Sequence, residues 1–263
     1  MADETSADMP TGRALPILVY HNVAEPPPGA ALPSLYVAPV QFDRQMRLLA
    51  AVGVQGVTLS EGLAWLHGGG ARRVAAITLD DGYLDNFENA LPILVRHGMR
   101  ATCYVPSGQI GGYNAWDAER LGVRKPLMGE QQLRDWVTAG MEVGAHTRTH
   151  PTLSELADGD LEREVAGSRS DLEALLGVEV AHFCYPYGKY DGRVVDAVRR
   201  AGFASATTLR RARARASDDP RRLPRVPVRH GDPLVQMLLK LFTPYEDHRG
   251  RKYAKAGRDA MLP

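Results

Sequence analysis

A chain of 263 residues with 44 % hydrophobic and 24 % charged residues can bury a core of ordinary globular size. Its formal net charge of +1 argues against a protein held on nucleic acid or on a membrane surface by bulk charge. Cysteine occurs only at Cys103 and Cys184, both inside apolar runs, which reads as two buried, unpaired thiols.

Residues 1–13 are polar and acidic and read as a disordered tail. They lack the basic start and apolar middle of a secretory leader, and no apolar stretch reaches the ~18 residues of a membrane span, so a cytoplasmic location is the expectation. Residues 16–21 form a short apolar strand ending in His21, and the proline-rich residues 25–39 are loop. Phe42, Met46, Leu49 and Ala50 have helical spacing, and Gly53 closes that helix. Residues 55–59 read as a strand, with Ser60 the N-cap of a helix through Leu66. The alternation continues with strands over 74–79, 101–105, 141–145, 180–185 and 203–207. Helices over 87–97, 130–138, 161–176 and 193–201 lie between them, each followed within two residues by a glycine. Strand–helix alternation implies an α/β fold with a parallel sheet, open or closed into a barrel. One domain over residues 14–232 is expected, followed by a C-terminal helix and basic tail over 233–263.

Several strands are followed at once by a chemically capable residue: His21, Asp80-Asp81, His146 and Tyr187. In parallel α/β folds such residues gather at the carboxyl ends of the strands, so distant segments converge on one mouth. Asp80 and Asp81 could cap a helix, but adjacent carboxylates repel, and a cation beside them relieves that cost. His146 and His150 are four apart; Pro151 disfavours a helix at His150, which places the pair where a strand runs into a loop. They could be turn histidines without a ligand role. Taken with the aspartates, they provide three metal ligands and a spare carboxylate, the minimum for metal-assisted hydrolysis. Phe183-Cys184-Tyr185-Pro186-Tyr187-Gly188 reads on its own as a strand leaving the core through a turn. The arginine-rich stretch from Arg210 to Arg229 reads as a solvated loop or, on a functional reading, as a binder of a phosphate-bearing sugar. Residues 233–242 read as a short amphipathic helix packed on the barrel.

Three ordered motifs carry a resemblance. Thr78-Leu79-Asp80-Asp81-Gly82, His146-Thr147-Arg148-Thr149-His150 and Cys184-Tyr185-Pro186-Tyr187-Gly188 resemble the three motifs of the polysaccharide deacetylases with a NodB-homology domain, carbohydrate esterase family 4. The resemblance runs from about residue 15 to about residue 232. It implies a distorted, incomplete (β/α) barrel and a hydrolase that removes N-acetyl groups from amino sugars of a polysaccharide or glycoconjugate. It implies Asp80 as catalytic base and Asp81, His146 and His150 as ligands of a divalent metal. Zinc is the first choice for that metal, with cobalt, nickel or iron also compatible. The backbone N–H of Tyr187 would stabilise the oxyanion, and Tyr83, Pro186 and Arg225 would contact the carbohydrate. Two departures stand out. Cys184 replaces the third-motif arginine that steadies the base, a charge that Arg222 or Arg225 would have to supply. The late histidine motif has only a poor match at Val228-Arg229-His230, and Val19-Tyr20-His21 fits better, as in the circularly permuted poly-N-acetylglucosamine deacetylases. His21 is therefore the expected acid, with His230 the alternative. Other readings are a deacetylase of a small or lipid-linked sugar and a catalytically silent carbohydrate-binding relative. Neither nucleic acid nor a transmembrane segment is expected.

Overall fold

A computed structural model describes residues 12–255 of the chain. Most of the tail expected over residues 1–13, and residues 256–263 at the other end, lie outside it. The strands, in chain order, are β1 (Ala14–Leu15), β2 (Ile17–Tyr20), β3 (Val54–Val57), β4 (Arg73–Leu79) and β5 (Thr102–Val105). They continue with β6 (Glu142–Ala145), β7 (His182–Cys184), β8 (Ser205–Arg211), β9 (Ala214–Arg215) and β10 (Leu223–Pro227). The helices are α1 (Pro39–Ala51), α2 (Leu59–Leu66), α3 (Leu91–Arg96), α4 (Ala118–Leu121), α5 (Glu130–Thr138), α6 (Asp158–Leu176), α7 (Gly192–Arg200), α8 (Leu234–Phe242) and α9 (Tyr245–Lys255).

Seven parallel strands close a ring in the order β2-β10-β8-β7-β6-β5-β4, with β4 pairing back onto β2 from Ile17↔Ala76 to Tyr20↔Leu79. This is the (β/α) barrel expected, one strand short of eight. β3 pairs with β4 outside the ring, and β1 pairs with β9 antiparallel as a separate ribbon.

Side chains alternate across each strand, and the alternation sorts the barrel into two apolar zones. Outward residues such as Leu18, Ile77, Leu79, Cys103, Val143, Phe183 and Val226 join the core between ring and helices. Ile17, Ala76, Tyr104, Cys184 and Leu223 form a smaller cluster within the ring. The same parity turns Asp80, His146 and Arg225 inward, two positions beyond Thr78, Gly144 and Leu223. Gly144 is required there, because a Cβ would lie 2.5 Å from the Tyr104 ring. Both cysteines are buried and free, as expected.

Three expectations need correction. The N-cap of α2 is Thr58 and not Ser60: Thr58 Oγ1 accepts from Glu61 N–H at 3.3 Å, and Thr58 N–H donates to the Glu61 carboxylate at 3.1 Å. Ser60 is instead held by Glu142 and His182 at the strand starts of β6 and β7. The arginine-rich stretch is not a solvated loop. It contains the long end of β8, the short β9 and the ring strand β10, in which all five residues are buried. The residues beyond Phe242 also form a helix, α9, whose Glu246 pairs with buried Arg211 at 2.6 Å and whose Asp247 pairs with Arg213 and Arg215. Met237, Lys240 and Leu241 of α8 are buried, and among the described residues no helix is long and apolar enough to cross a membrane.

Candidate metal centre and catalytic cleft

Among the described residues, four non-glycine residues have positive φ: Asp81 (75°), Thr147 (67°), His150 (64°) and Tyr187 (57°). All four sit just past the carboxyl ends of β4, β6 and β7. The left-handed conformation costs an L-residue roughly 1–2 kcal/mol, most clearly a β-branched one such as Thr147. Strain of this kind persists only where the surroundings over-determine it, and it clusters at functional sites. Here the surroundings are visible. Thr147 Oγ1 accepts from His150 N–H at 2.9 Å, and Ser107 N–H donates to Thr147 O at 3.0 Å. The Glu164 carboxylate of α6 accepts from Arg148 N–H and Thr149 N–H at 2.8 and 2.9 Å, while the Arg148 guanidinium pairs with Asp171 on the same helix. The histidine loop is thus bolted to α6.

That loop brings three donors to one point. Asp81 Oδ1 lies 3.4 Å from His146 Nε2 and 3.3 Å from His150 Nε2, and the two ring nitrogens are 3.2 Å apart. All three residues are buried. His146 Nδ1–H donates to Cys184 O at 2.7 Å, which leaves its Nε2 lone pair facing the other two donors. Burial raises the Asp81 carboxyl, but the adjacent His146 and His150 outweigh it and hold the group well below the usual range. Burial lowers the His150 imidazole, whereas around His146 the effect of burial is outweighed by Cys184, Asp81 and Asp80, which push it up. Three lone-pair-bearing atoms aimed at one another repel unless a positive charge lies between them. Two imidazoles and a carboxylate with room for further ligands fit a catalytic divalent cation of the zinc class.

Asp80 faces the same cleft but is held differently. Both its oxygens accept from Arg225 of β10, each at 2.7 Å. Arg225 also donates to Thr208 O at 3.0 Å, Thr78 Oγ1 at 3.2 Å and Cys184 Sγ at 3.2 Å. Burial raises the Asp80 carboxyl, and Arg225 more than offsets this, so the group is an anion lowered from its ordinary value. A fork-to-fork pair uses one lone pair on each oxygen and leaves the others for a water or a substrate proton. His21 Nε2 stands 3.9 Å from Asp80 Oδ2.

The cleft has a volume of about 50 Å³, and its lining includes His21, Asp80, Asp81, Tyr83, His146, His150 and Tyr187. Seven of the nine residues singled out from the sequence are thereby brought together. Two are corrected. Arg225 is fully buried, its guanidinium spent on Asp80, so it is not placed to contact a carbohydrate. Pro186 is buried and does not line the cleft; it starts the turn in which Tyr187 has its positive φ. His230 is exposed and does not line the cleft. Of the two arginines considered for steadying Asp80, Arg225 does so.

Sequence reading missed the opposite wall. Residues between β5 and α5 place Asp117, Arg120 and Leu121 on the cleft, and Trp116 stacks on His150 with ring centroids 4.6 Å apart and planes at 25°. Arg120 donates twice to Asp117 at 2.7 Å, and Tyr187 OH reaches Asp117 Oδ1 at 3.5 Å. No periodicity marks these residues, because they lie in a loop and a single helical turn.

Comparison with known proteins agrees with this architecture. Residues 67–206 match the family model described as polysaccharide deacetylase. YxkH of Bacillus subtilis (strain 168), provisionally named a polysaccharide deacetylase, is 28% identical over 210 residues, covering 78% of this chain and 69% of that protein. The poly-beta-1,6-N-acetyl-D-glucosamine N-deacetylase of Staphylococcus aureus (strain MRSA252) is 22% identical over 200 residues, 72% of this chain and 67% of that one. The structure of IcaB from Ammonifex degensii superposes with a TM-score of 0.74 at 25% identity, covering 88% of this chain and 97% of that chain.

Proposed function

The chain belongs to the polysaccharide deacetylase family, and from this premise we propose that it is a metal-dependent hydrolase that removes N-acetyl groups from amino sugars. The observation that carries the reading is the division of labour between neighbouring aspartates: Asp81 converges with two imidazoles, while Asp80 is kept apart by Arg225 and faces the same cleft. The S. aureus relative, named for an N-acetylglucosamine polymer, supports the substrate class.

Asp81, His146 and His150 would hold the divalent cation, zinc by preference with cobalt, nickel or iron(II) also suited to the donors. When bound, that cation acidifies water and polarises the acetyl carbonyl. Asp80 takes a proton from the attacking water, whose oxygen adds to the amide carbon. Tyr187 N–H, presented by its left-handed backbone, donates to the developing oxyanion. His21 protonates the departing nitrogen, and acetate and a free amine leave. Arg225 keeps the resting Asp80 ionised, ready to accept that proton, and holds it pointed at the cleft.

The test is acetate release from N-acetylglucosamine oligomers by purified protein, with and without chelator. Activity should vanish with chelator and return with added zinc or cobalt. Asp80→Asn should lose turnover while retaining the metal. Chelator-insensitive acetate release, or full activity in Asp80→Asn, would overturn the reading.

A further inference from the structure

The arginine-rich stretch takes no part in the chemistry above except through Arg225, and the rest of it closes a second cavity. Between the end of β8, the turn into β9 and the helix α9 lies a pocket of about 280 Å³ that shares no lining residue with the metal cleft. Arg210, Arg211, Arg213, Arg215 and Arg251 line it, against two lining carboxylates, Asp218 and Asp247. We propose that this pocket is a binding site for a phosphate ester of sugar size, separate from the metal centre. Its volume lies near the lower end of small-ligand sites, roughly 300 Å³, which suits one phosphorylated sugar unit. The assignment is independent of the deacetylase reading.

The pocket holds more cation than its own carboxylates neutralise. Asp247 is shared between two guanidiniums, accepting from Arg213 at 3.0 Å and from Arg215 at 3.1 Å. Burial raises the Asp247 carboxyl, but Arg213 and Arg215 outweigh it and lower it from its ordinary value, the mark of a positive local field. Asp218 accepts from Arg210 at 3.3 Å, and Arg251, exposed on α9, has no carboxylate partner among the described residues. Arg211 is the decisive residue. It is 2 % exposed, and its Nε and Nη2 both donate to Glu246 Oε2, at 2.8 and 2.6 Å. Its Nη1 is buried with no hydrogen-bond partner, a costly state for a charged donor. Counting Glu246, three carboxylates face five guanidiniums, so two positive charges stay unbalanced. A tetrahedral oxyanion offers acceptors to several guanidinium forks at once and supplies the missing charge. Glu246 Oε1 is an unmet acceptor behind Arg211, so the ligand that fits carries a hydroxyl donor as well as anionic oxygens, as a sugar phosphate does. The walls are tightly joined: α9 comes so close to β8 at Gly250 that a Cβ there would collide with Arg211 O.

The experiment is calorimetric titration of the full chain, at constant ionic strength, with glucose 1-phosphate, inorganic phosphate and glucose. It is run on metal-loaded protein and again after chelation and dialysis. Glucose 1-phosphate should bind about tenfold more tightly than inorganic phosphate, glucose should give no heat, and metal should change neither result. Arg215→Gln leaves Asp247 on Arg213, and Arg251→Gln alters only an exposed side chain, so both should fold, as circular dichroism and melting temperature will check. Each should weaken glucose 1-phosphate about tenfold, and Arg251→Glu should weaken it further. Arg163→Gln, on the exposed face of α6, should leave binding unchanged. Sedimentation with phosphatidylglycerol vesicles separates the sources of the phosphate: pelleting that is lost in Arg251→Glu assigns it to a lipid-linked sugar, and no pelleting assigns it to a soluble ester. Absence of binding, or undiminished binding in both Arg215→Gln and Arg251→Gln, overturns the site. Binding seen only with metal loaded also overturns it, because the anion then sits at the metal centre. Inorganic phosphate bound as tightly as glucose 1-phosphate overturns the ester assignment.

Discussion

Removing Arg225 should expose how much of this site is electrostatic design. Arg225→Met keeps most of the side-chain volume but strands the Asp80 carboxylate inside the barrel, where both its oxygens lose a 2.7 Å donor. Breaking a buried pair by deleting one partner costs about 3–5 kcal/mol, because the remaining charge is left uncompensated. Thr208 O and Thr78 Oγ1 also lose a donor. Against a domain stability of about 5–15 kcal/mol, the variant should stay folded but with a clearly lower denaturant midpoint. Asp80→Asn removes the stranded charge, so the double variant should lose less than the sum, with a coupling of about 2–3 kcal/mol between the positions. Turnover should fall steeply in Arg225→Met with little change in KM, since the guanidinium touches the base and not the cleft. Returning a cation from β7, as Cys184→Arg/Arg225→Met, should restore part of both stability and kcat, because Cys184 Sγ already lies 3.2 Å from the guanidinium. Urea melts, a double-mutant cycle and steady-state kinetics check all of this. A stability change under about 1 kcal/mol for Arg225→Met, together with zero coupling to Asp80→Asn, would refute the argument that this pair holds the base.

At the other end of the barrel, burial raises the Glu142 carboxyl, but His182, Ser60 and Thr102 outweigh it and bring it down from 4.5 to about 2. A depressed carboxyl stabilises the fold above its unfolded value, and the effect is lost as the pH falls from about 4.5 through about 2. Acid denaturation should therefore show a loss of about 3 kcal/mol over that window, absent in Glu142→Gln. Gly144→Ala would put a methyl group against the Tyr104 ring and should destabilise by about 1–3 kcal/mol in thermal or urea melts, with the tryptophan environment otherwise unchanged. His21→Ala should lower kcat by about 10²–10⁴-fold while metal content and fold, read by elemental analysis and circular dichroism, stay unchanged. A near-wild-type rate would move the acid role away from His21.

What could be read from the sequence was what period and punctuation mark. Apolar runs of strand length end at His21, Asp80 and His146, and strand alternation turns those residues into the barrel without any further information. The backbone that separates the paired residues was not legible. Asp81 and His150 reach the same point as His146 only because left-handed turns swing them back, the one at His150 pinned by Thr147 and by Glu164 of α6. Arg225 was named from the sequence, but the strand that carries it was not legible, for a different reason. Its strand reads Leu-Pro-Arg-Val-Pro, and two prolines and a charge argue against a central strand in any local reading. The strand is nevertheless needed, because β10 is the stave that joins β8 to β2 and closes the ring. The charge in it is tolerated because Asp80 stands opposite. The two anomalies in the sequence, an arginine missing where Cys184 stands and an arginine present in an improbable strand, therefore have one physical cause. The cation that Asp80 requires enters from β10 instead of β7, and Cys184 is the small residue that leaves room for it.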